Sequence, residues 1–435
     1  MSPHAPFERA PAPRRVRSPR PPAGAIIDPD RLAARAEWPI EPGLTMLNHG
    51  SYGICPVAVR EAQNELRARM NADPVRFFKV DLEALADRAR DRISRLVNAE
   101  ADCLAMVPNA TFAVATVLHG AGLASGDEVL VTDHEYNATL NELTRLCQRT
   151  GARVVTAHLP IEGITPQLVV ERMLAKITPK TKLVVVSHVT SASAMVMPVH
   201  EIVREVRARG IDILVDGAHA PGQVPIDLGA MRPTYYAASS HKWLCTPKGT
   251  GFFYAEREKH GSIKPLALSC RVHELRDDRA PFLCDFDYVG TGDYTGNLVT
   301  PEAIEHLGAQ LPGGLEHLME RNHDLVVEGC RMVAEMTGAR FYAPEEMVGS
   351  MVGLQLPDNP APGRPCSFED PIWDALYERH RIQVPVWPLA GVADRIMRVS
   401  AHLYNTLEDY ERLGGALAEE LGLERVMDGA GKKTA

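Results

Sequence analysis

The chain has 435 residues, 45% of them hydrophobic and 24% charged, and a formal net charge of −9. This composition supports a sizeable packed core, sets a prior of two to three domains and excludes whole-chain disorder. The negative charge argues against a nucleic-acid or anionic-membrane binder, and no apolar run approaches the roughly 18 residues of a membrane span.

Residues 1–25 hold seven prolines and five arginines against one acid, Glu8. Proline at this density blocks a helix and supplies no core, so a disordered arm is expected. From residue 26 onward, short apolar runs alternate with helical patterns. The run 104–107 ends at Pro108-Asn109-Ala110-Thr111, ahead of the helix-compatible segment 112–118. A helix N-terminus with free N–H groups and a threonine hydroxyl suits a phosphate, though Asn and Thr more often act there as plain caps. Segments 128–132, 153–157, 182–188, 212–216 and 251–254 are β-branched or aromatic and too short for helices, so they read as buried strands. In 198–209, Ile202, Val203 and Val206 form one helical face, and Gly210 marks its stop. The alternation predicts an α/β fold with a largely parallel sheet over residues 26–300. Longer helical stretches with few strands (301–310, 315–336, 370–381, 406–421) predict a smaller α+β domain over 301–425, and residues 426–435 read as a flexible tail. None of the eight cysteines forms a CxxC pair, which argues against a zinc ribbon or a thioredoxin-like site. No signal-peptide core is visible, and a reducing, cytoplasmic setting is expected.

In open parallel sheets, ligands bind beyond the carboxyl ends of strands. Asp216 closes one predicted strand and is followed by Gly217-Ala218-His219. It reads either as a ligand-facing carboxylate or as a cap for the next turn. Lys242 lies in Ser239-Ser240-His241-Lys242-Trp243. Partial burial there would lower its pKa and make a nucleophilic amine; the plain alternative is a surface lysine packed along Trp243. The glycines of 119–126 lack the dinucleotide spacing, and no GxxxxGK[ST] loop is present. A strand-end aspartate, a later lysine and a helix-end phosphate cradle together suit pyridoxal 5′-phosphate (PLP).

The chain resembles the class V aminotransferase family of fold-type I PLP-dependent enzymes, and within it the isopenicillin N epimerase-like branch. The resemblance runs from about residue 47 to 421. It is carried in order by 48–53 (NHGSYG), 133–136 (DHEY), 187–189 (SHV), 215–222 (VDGAHAPG), 240–244 (SHKWL), 290–291 (GT) and 398–406 (RVSAHLYNT). It implies Lys242 as the Schiff-base lysine and proton shuttle, Asp216 at the pyridine nitrogen and His219 by the ring hydroxyl. Ala110, Thr111, Ser239 and His241 would hold the phosphate. Thr291 would reach the phosphate of a neighbouring subunit, which implies a homodimer with shared sites. Tyr136 would stack on the ring. Arg398 would clamp the substrate carboxylate, with Asn48, His49, Tyr52 and Trp387 lining the pocket; no metal is implied. Ser191 stands where related enzymes use an asparagine near the cofactor hydroxyl. The stretch 381–398 has no cysteine, and Cys366 is the nearest upstream, which speaks against a desulfurase-type persulfide mechanism. The implied reaction is α-proton abstraction from an amino acid held as an external aldimine, leading to epimerisation. A β-eliminating C–S lyase or an aminotransferase are the alternatives; a cysteine desulfurase or a non-catalytic PLP-binding protein stand further off. Tyr136 is the candidate second acid, with His49 and His402 more distant.

Overall fold

The computed structural model describes residues 37–160, 162–272, 276–359, 366–389 and 391–431; the arm expected over 1–25 lies outside them. The short strand β1 (Thr45–Met46) precedes the main sheet. That sheet is built from β2 (Leu104–Val107), β3 (Glu128–Thr132), β4 (Arg153–Ala157), β5 (Thr181–Ser187), β6 (Asp212–Gly217), β7 (Tyr235–Ser239) and β8 (Gly251–Ala255). Its order is β2-β8-β7-β6-β5-β3-β4. Strands β7, β6, β5, β3 and β4 pair in parallel, whereas β8 runs antiparallel to both its neighbours. All strands but β8 therefore deliver their carboxyl ends to one edge.

The apolar runs explain the layering. Successive side chains point to opposite faces of a strand. Along β5, Leu183 and Val185 join one core while Val184 and Val186 join the other; Leu214 and its neighbours Ile213 and Val215 divide the same way on β6. Helices cover both faces, as a buried parallel sheet requires. β7 escapes a sequence reading because its Tyr235-Tyr236-Ala237-Ala238 run has no β-branched residue. It is held by stacked cross-strand pairs, Tyr235 with Phe253 and Tyr236 with Phe252.

The C-terminal part departs from the expectation of few strands. It contributes β9 (Arg340–Phe341), β10 (Met351–Gln355), β11 (Ile382–Gln383), β12 (Val386–Leu389) and β13 (Ala393–Ser400). Two of these are dipeptides, and β13 carries Arg395 and Arg398 inside it, so no clean alternation is visible. β12, β13, β10 and β9 form an antiparallel sheet, and β11 pairs with β1. Helices Gly314–Thr337, Pro371–His380 and Leu407–Gly431 pack with this sheet around a second core that includes Leu47, Val352, Leu376, Met397 and Leu417. We propose that this core defines the smaller domain. Among the described residues, no helix is long and apolar enough to cross a membrane.

Candidate active site

Four loops meet beyond the common edge, after β2, β3, β6 and β7, and the loop after β5 joins them. Asp216 is the fifth residue of β6, paired in register with Ser187 of β5 and Ala237 of β7, so its position is set by two ladders. It is buried, and burial raises its carboxyl above the ordinary range, while the Lys242 charge and the Ala218 N–H pull it back down. Lys242 follows β7. Its Nζ lies 3.0 Å from His219 Nε2. Burial, and after it the positive charge of Arg398, bring the amine down to about 7 against the opposing charge of Asp216. His219 is held neutral, first by burial and then by the positive charges of Lys242 and Arg398. Its Nδ1 is buried and finds no partner among the described residues.

At the rear edge, Asn109 caps the helix Ala110–Gly120 by accepting from the Phe112 N–H at 2.8 Å. The Ala110 N–H donates to Ser239 Oγ at 3.1 Å, which joins the helix start to the end of β7. Thr111 is exposed beside it. His241 donates from Nδ1 to the Thr250 carbonyl at 2.9 Å, and burial takes its imidazole down to about 4. Ser239 thus ties the helix start to the end of β7, two residues before His241, and a helix start beside hydroxyl and imidazole groups suits a phosphate.

On the opposite wall stands Arg398, 1% exposed. It donates to the Ser191 carbonyl at 2.7 Å, Ser51 Oγ at 2.9 Å and Asn48 Oδ1 at 3.4 Å, and its carbon lies 4.8 Å from the Trp387 ring centroid. None of these partners is a carboxylate, and Nε is left buried without a partner among the described residues. Burial brings this guanidinium down to about 9, with Tyr136 and Tyr52 acting against it. A buried cation paired only with neutral groups is poised for an anion. Tyr136 (48% exposed) and Tyr52 (74% exposed) stand at the mouth.

Two expected residues, His49 and His402, turn into the protein interior. His49 was expected at the substrate and as a distant acid, but both ring nitrogens are engaged inside the protein, with Tyr404 and the Lys242 carbonyl. Its ring stacks on His402 at 4.0 Å and 14°, and burial takes it down to about 3. Cys245 Sγ approaches both rings, at 3.6 and 3.5 Å. His49 has no ring nitrogen to spare for an ion, since Nε2 faces the Lys242 carbonyl and Nδ1 the Tyr404 hydroxyl. His402 is likewise buried and neutral. Thr291 is exposed, bonded to the Tyr288 hydroxyl at 2.9 Å. Glu135, adjacent to Tyr136, was passed over. It is buried under the edge and bonded to Thr132 and Ser187. An acid three residues beyond the end of a buried strand is the available signal.

One glycine is required here. Gly53 has φ +68°, and a Cβ on it would stand 2.1 Å from the His241 carbonyl oxygen. The NHGSYG turn can therefore lie directly against the lysine loop only with hydrogen at that position.

The profile of the aminotransferase class-V family matches residues 49–358. Isopenicillin N epimerase of Amycolatopsis lactamdurans is 33% identical over 402 residues, covering 89% of this chain and 97% of its own. L-Cysteine desulfhydrase of Arabidopsis thaliana is 31% identical over 407 residues, covering 87% of this chain and 88% of its own. Among solved structures, the cystine C–S lyase C-DES in complex with its product cysteine persulfide superposes with a TM-score of 0.74 at 23% identity, over 87% of this chain and 98% of that one. A variant of the same lyase carries glycine covalently linked to its PLP cofactor. The fold is that of the fold-type I PLP-dependent enzymes, with a mostly parallel sheet. The matched span runs from the NHGSYG turn past the lysine loop, and relatives agree with it over nearly their whole length, so the chain belongs to the class V aminotransferase family.

Proposed function

We propose that the chain is a PLP-dependent enzyme that removes the α-proton of an amino acid and returns a proton to the same carbon, an epimerase resembling isopenicillin N epimerase. One observation carries this reading: half-buried Lys242 holds its Nζ 3.0 Å from His219 Nε2, within reach of the charges of both Asp216 and Arg398. When bound, the cofactor supplies an electron sink for the pair left by the Cα–H bond. Asp216 would offer its carboxylate to the ring nitrogen, and His219 and Ser191 are assigned to the ring hydroxyl side. Ala110, Thr111, Ser239 and His241 would hold the phosphate, and Tyr136 would lie against the ring. Arg398 grips the α-carboxylate with its guanidinium fork, backed by Asn48 and Ser51, and so fixes which α-bond is presented for cleavage. Lys242 Nζ takes the proton from one face of that carbon. Tyr136, standing at the mouth close enough to interact with Arg398, is the donor assigned to the other face. Thr291 is assigned to the phosphate of a second copy, in a homodimer.

Elimination of a β-thiol substituent is a second reading, supported by the relatives named L-cysteine desulfhydrase at 30–31% identity. It uses the same groups up to proton removal. A persulfide route gains no support, because Cys245 is buried with its thiol pushed well above the ordinary range, and Cys366 is bonded to the Phe368 carbonyl.

Incubation with single amino acids and sulfur conjugates in heavy water tests the proposal. Recovered substrate carrying deuterium with inverted configuration is the expected result. Pyruvate with ammonia and a thiol would establish the second reading instead, and no deuterium exchange with any amino acid would refute both.

A further inference from the structure

The acid left unused by this reading is Glu135. It leaves the end of β3 and turns back under the sheet edge, 4% exposed. Thr132 Oγ1 donates to its Oε1 at 2.8 Å, and Ser187 Oγ donates to its Oε2 at 2.7 Å. Ser187 is the β5 residue in register with Asp216. Two hydroxyl donors and no cation are a costly setting for a buried carboxylate. Burial accordingly pushes Glu135 up to about 7, and the negative charge of Asp216 acts in the same direction. Asp216 is the titratable group that faces it. On its own segment, Asp133 is bonded to His158 and the Leu159 N–H, and His134 to Ser193 and Tyr342.

A surface-cap role does not fit a side chain so enclosed. A purely structural role would be served by glutamine, which can accept from one hydroxyl and donate to the other without carrying charge. What only a carboxyl supplies is negative potential, and it falls on the next strand but one, where Asp216 stands.

We propose that Glu135 is a positioning residue that acts through Asp216: linked to it by way of Ser187, it forms a second acidic layer behind the group facing the cofactor's ring nitrogen and sets how strongly protons are held at Lys242 and the ring. The inference rests on the PLP reading given above.

The test is an absorbance titration across neutral and alkaline pH of protein loaded with pyridoxal 5′-phosphate, followed at the band of the cofactor joined to Lys242. Negative charge nearby favours the protonated form of that linkage, so Glu135→Gln is expected to move the midpoint down by on the order of one pH unit. Ser187→Ala and Thr132→Val each strip one donor from the carboxylate and so favour its neutral form. Both are expected to shift the midpoint the same way by less. An unchanged midpoint in folded Glu135→Gln overturns the inference and leaves the PLP reading standing, whereas absence of any band in the wild-type protein overturns both. Should Glu135→Gln fail to fold by circular dichroism, unchanged midpoints in the two hydroxyl variants overturn the inference by the same criterion.

Discussion

His49 Nε2 lies 3.0 Å from the main-chain carbonyl of Lys242, joining segments 193 residues apart. A carbonyl only accepts, so Nε2 carries the proton and Nδ1 accepts from the Tyr404 hydroxyl at 2.9 Å. The ring therefore props the backbone from which the amine projects. His49→Ala is expected to leave Lys242 able to capture cofactor while lowering kcat/KM roughly tenfold, about what one lost buried hydrogen bond costs. His49→Asn should recover part of that loss. Steady-state kinetics with an absorbance check for bound cofactor decides it; an unaffected His49→Ala would remove the propping role.

Lys242→Ala removes both the anchor and the proton carrier. Turnover should fall on the order of a thousandfold or more, with the circular dichroism spectrum unchanged. The absorbance band of the anchored cofactor should vanish. Retained turnover would refute the assignment.

Arg398→Lys keeps the charge and loses the planar fork. The expected cost is about 2 kcal/mol, roughly thirtyfold in kcat/KM, carried mainly by KM because the group binds rather than reacts. Equal KM values for wild type and variant would place the substrate carboxylate elsewhere.

Capture of free pyridoxal 5′-phosphate by unloaded protein should depend on pH through Lys242. Only the neutral amine attacks the aldehyde, and its pKa is held down to about 7, so the capture rate should rise with pH toward 7 and level off above it. Arg398 is one cause of that lowering, so Arg398→Met should move the midpoint upward. Stopped-flow absorbance reads both effects, and a rate still climbing well above pH 8 in the wild type would contradict the burial argument.

His49 and His188 are buried and neutral, each taken down to about 3. Their unfolded values lie near 6.5, so between pH 6.5 and about 3 the unfolded chain binds protons that the folded chain refuses. Stability should thus be indifferent to these rings above pH 6.5 and fall as pH drops below it, by up to about 1.4 kcal/mol per pH unit for each ring. Chemical denaturation at stepped pH measures this, and replacement of His188 by Gln should flatten the slope.

The groups proposed to handle the cofactor are legible because they belong to short strings fixed to strand ends: Asp216 by β6, Lys242 by β7 and Ala110 by a capped helix. The strands were visible where β-branched residues repeat, and β7 was missed where alanine and tyrosine replace them. The antiparallel sheet after residue 340 was obscured because β13 buries Arg395 and Arg398, which in a linear text read as solvent-facing. His49 was misplaced for a similar reason. Its neighbours Asn48 and Ser51 do face Arg398, but on a turn that tight adjacent residues point in different directions. Glu135 was overlooked because its role depends on Ser187 and Asp216, each brought to it by a separate strand.

The edge of the main sheet carries the lysine and its aspartate, whereas the arginine proposed to meet the substrate is supplied by β13 of the other sheet and steadied by the NHGSYG turn. The reactive half and the selective half of the pocket are thus encoded on different stretches of chain. Substitutions on β13 can therefore redraw the menu of accepted amino acids, whereas those on the turn, whose His49 and Gly53 touch the lysine loop, reach both halves at once.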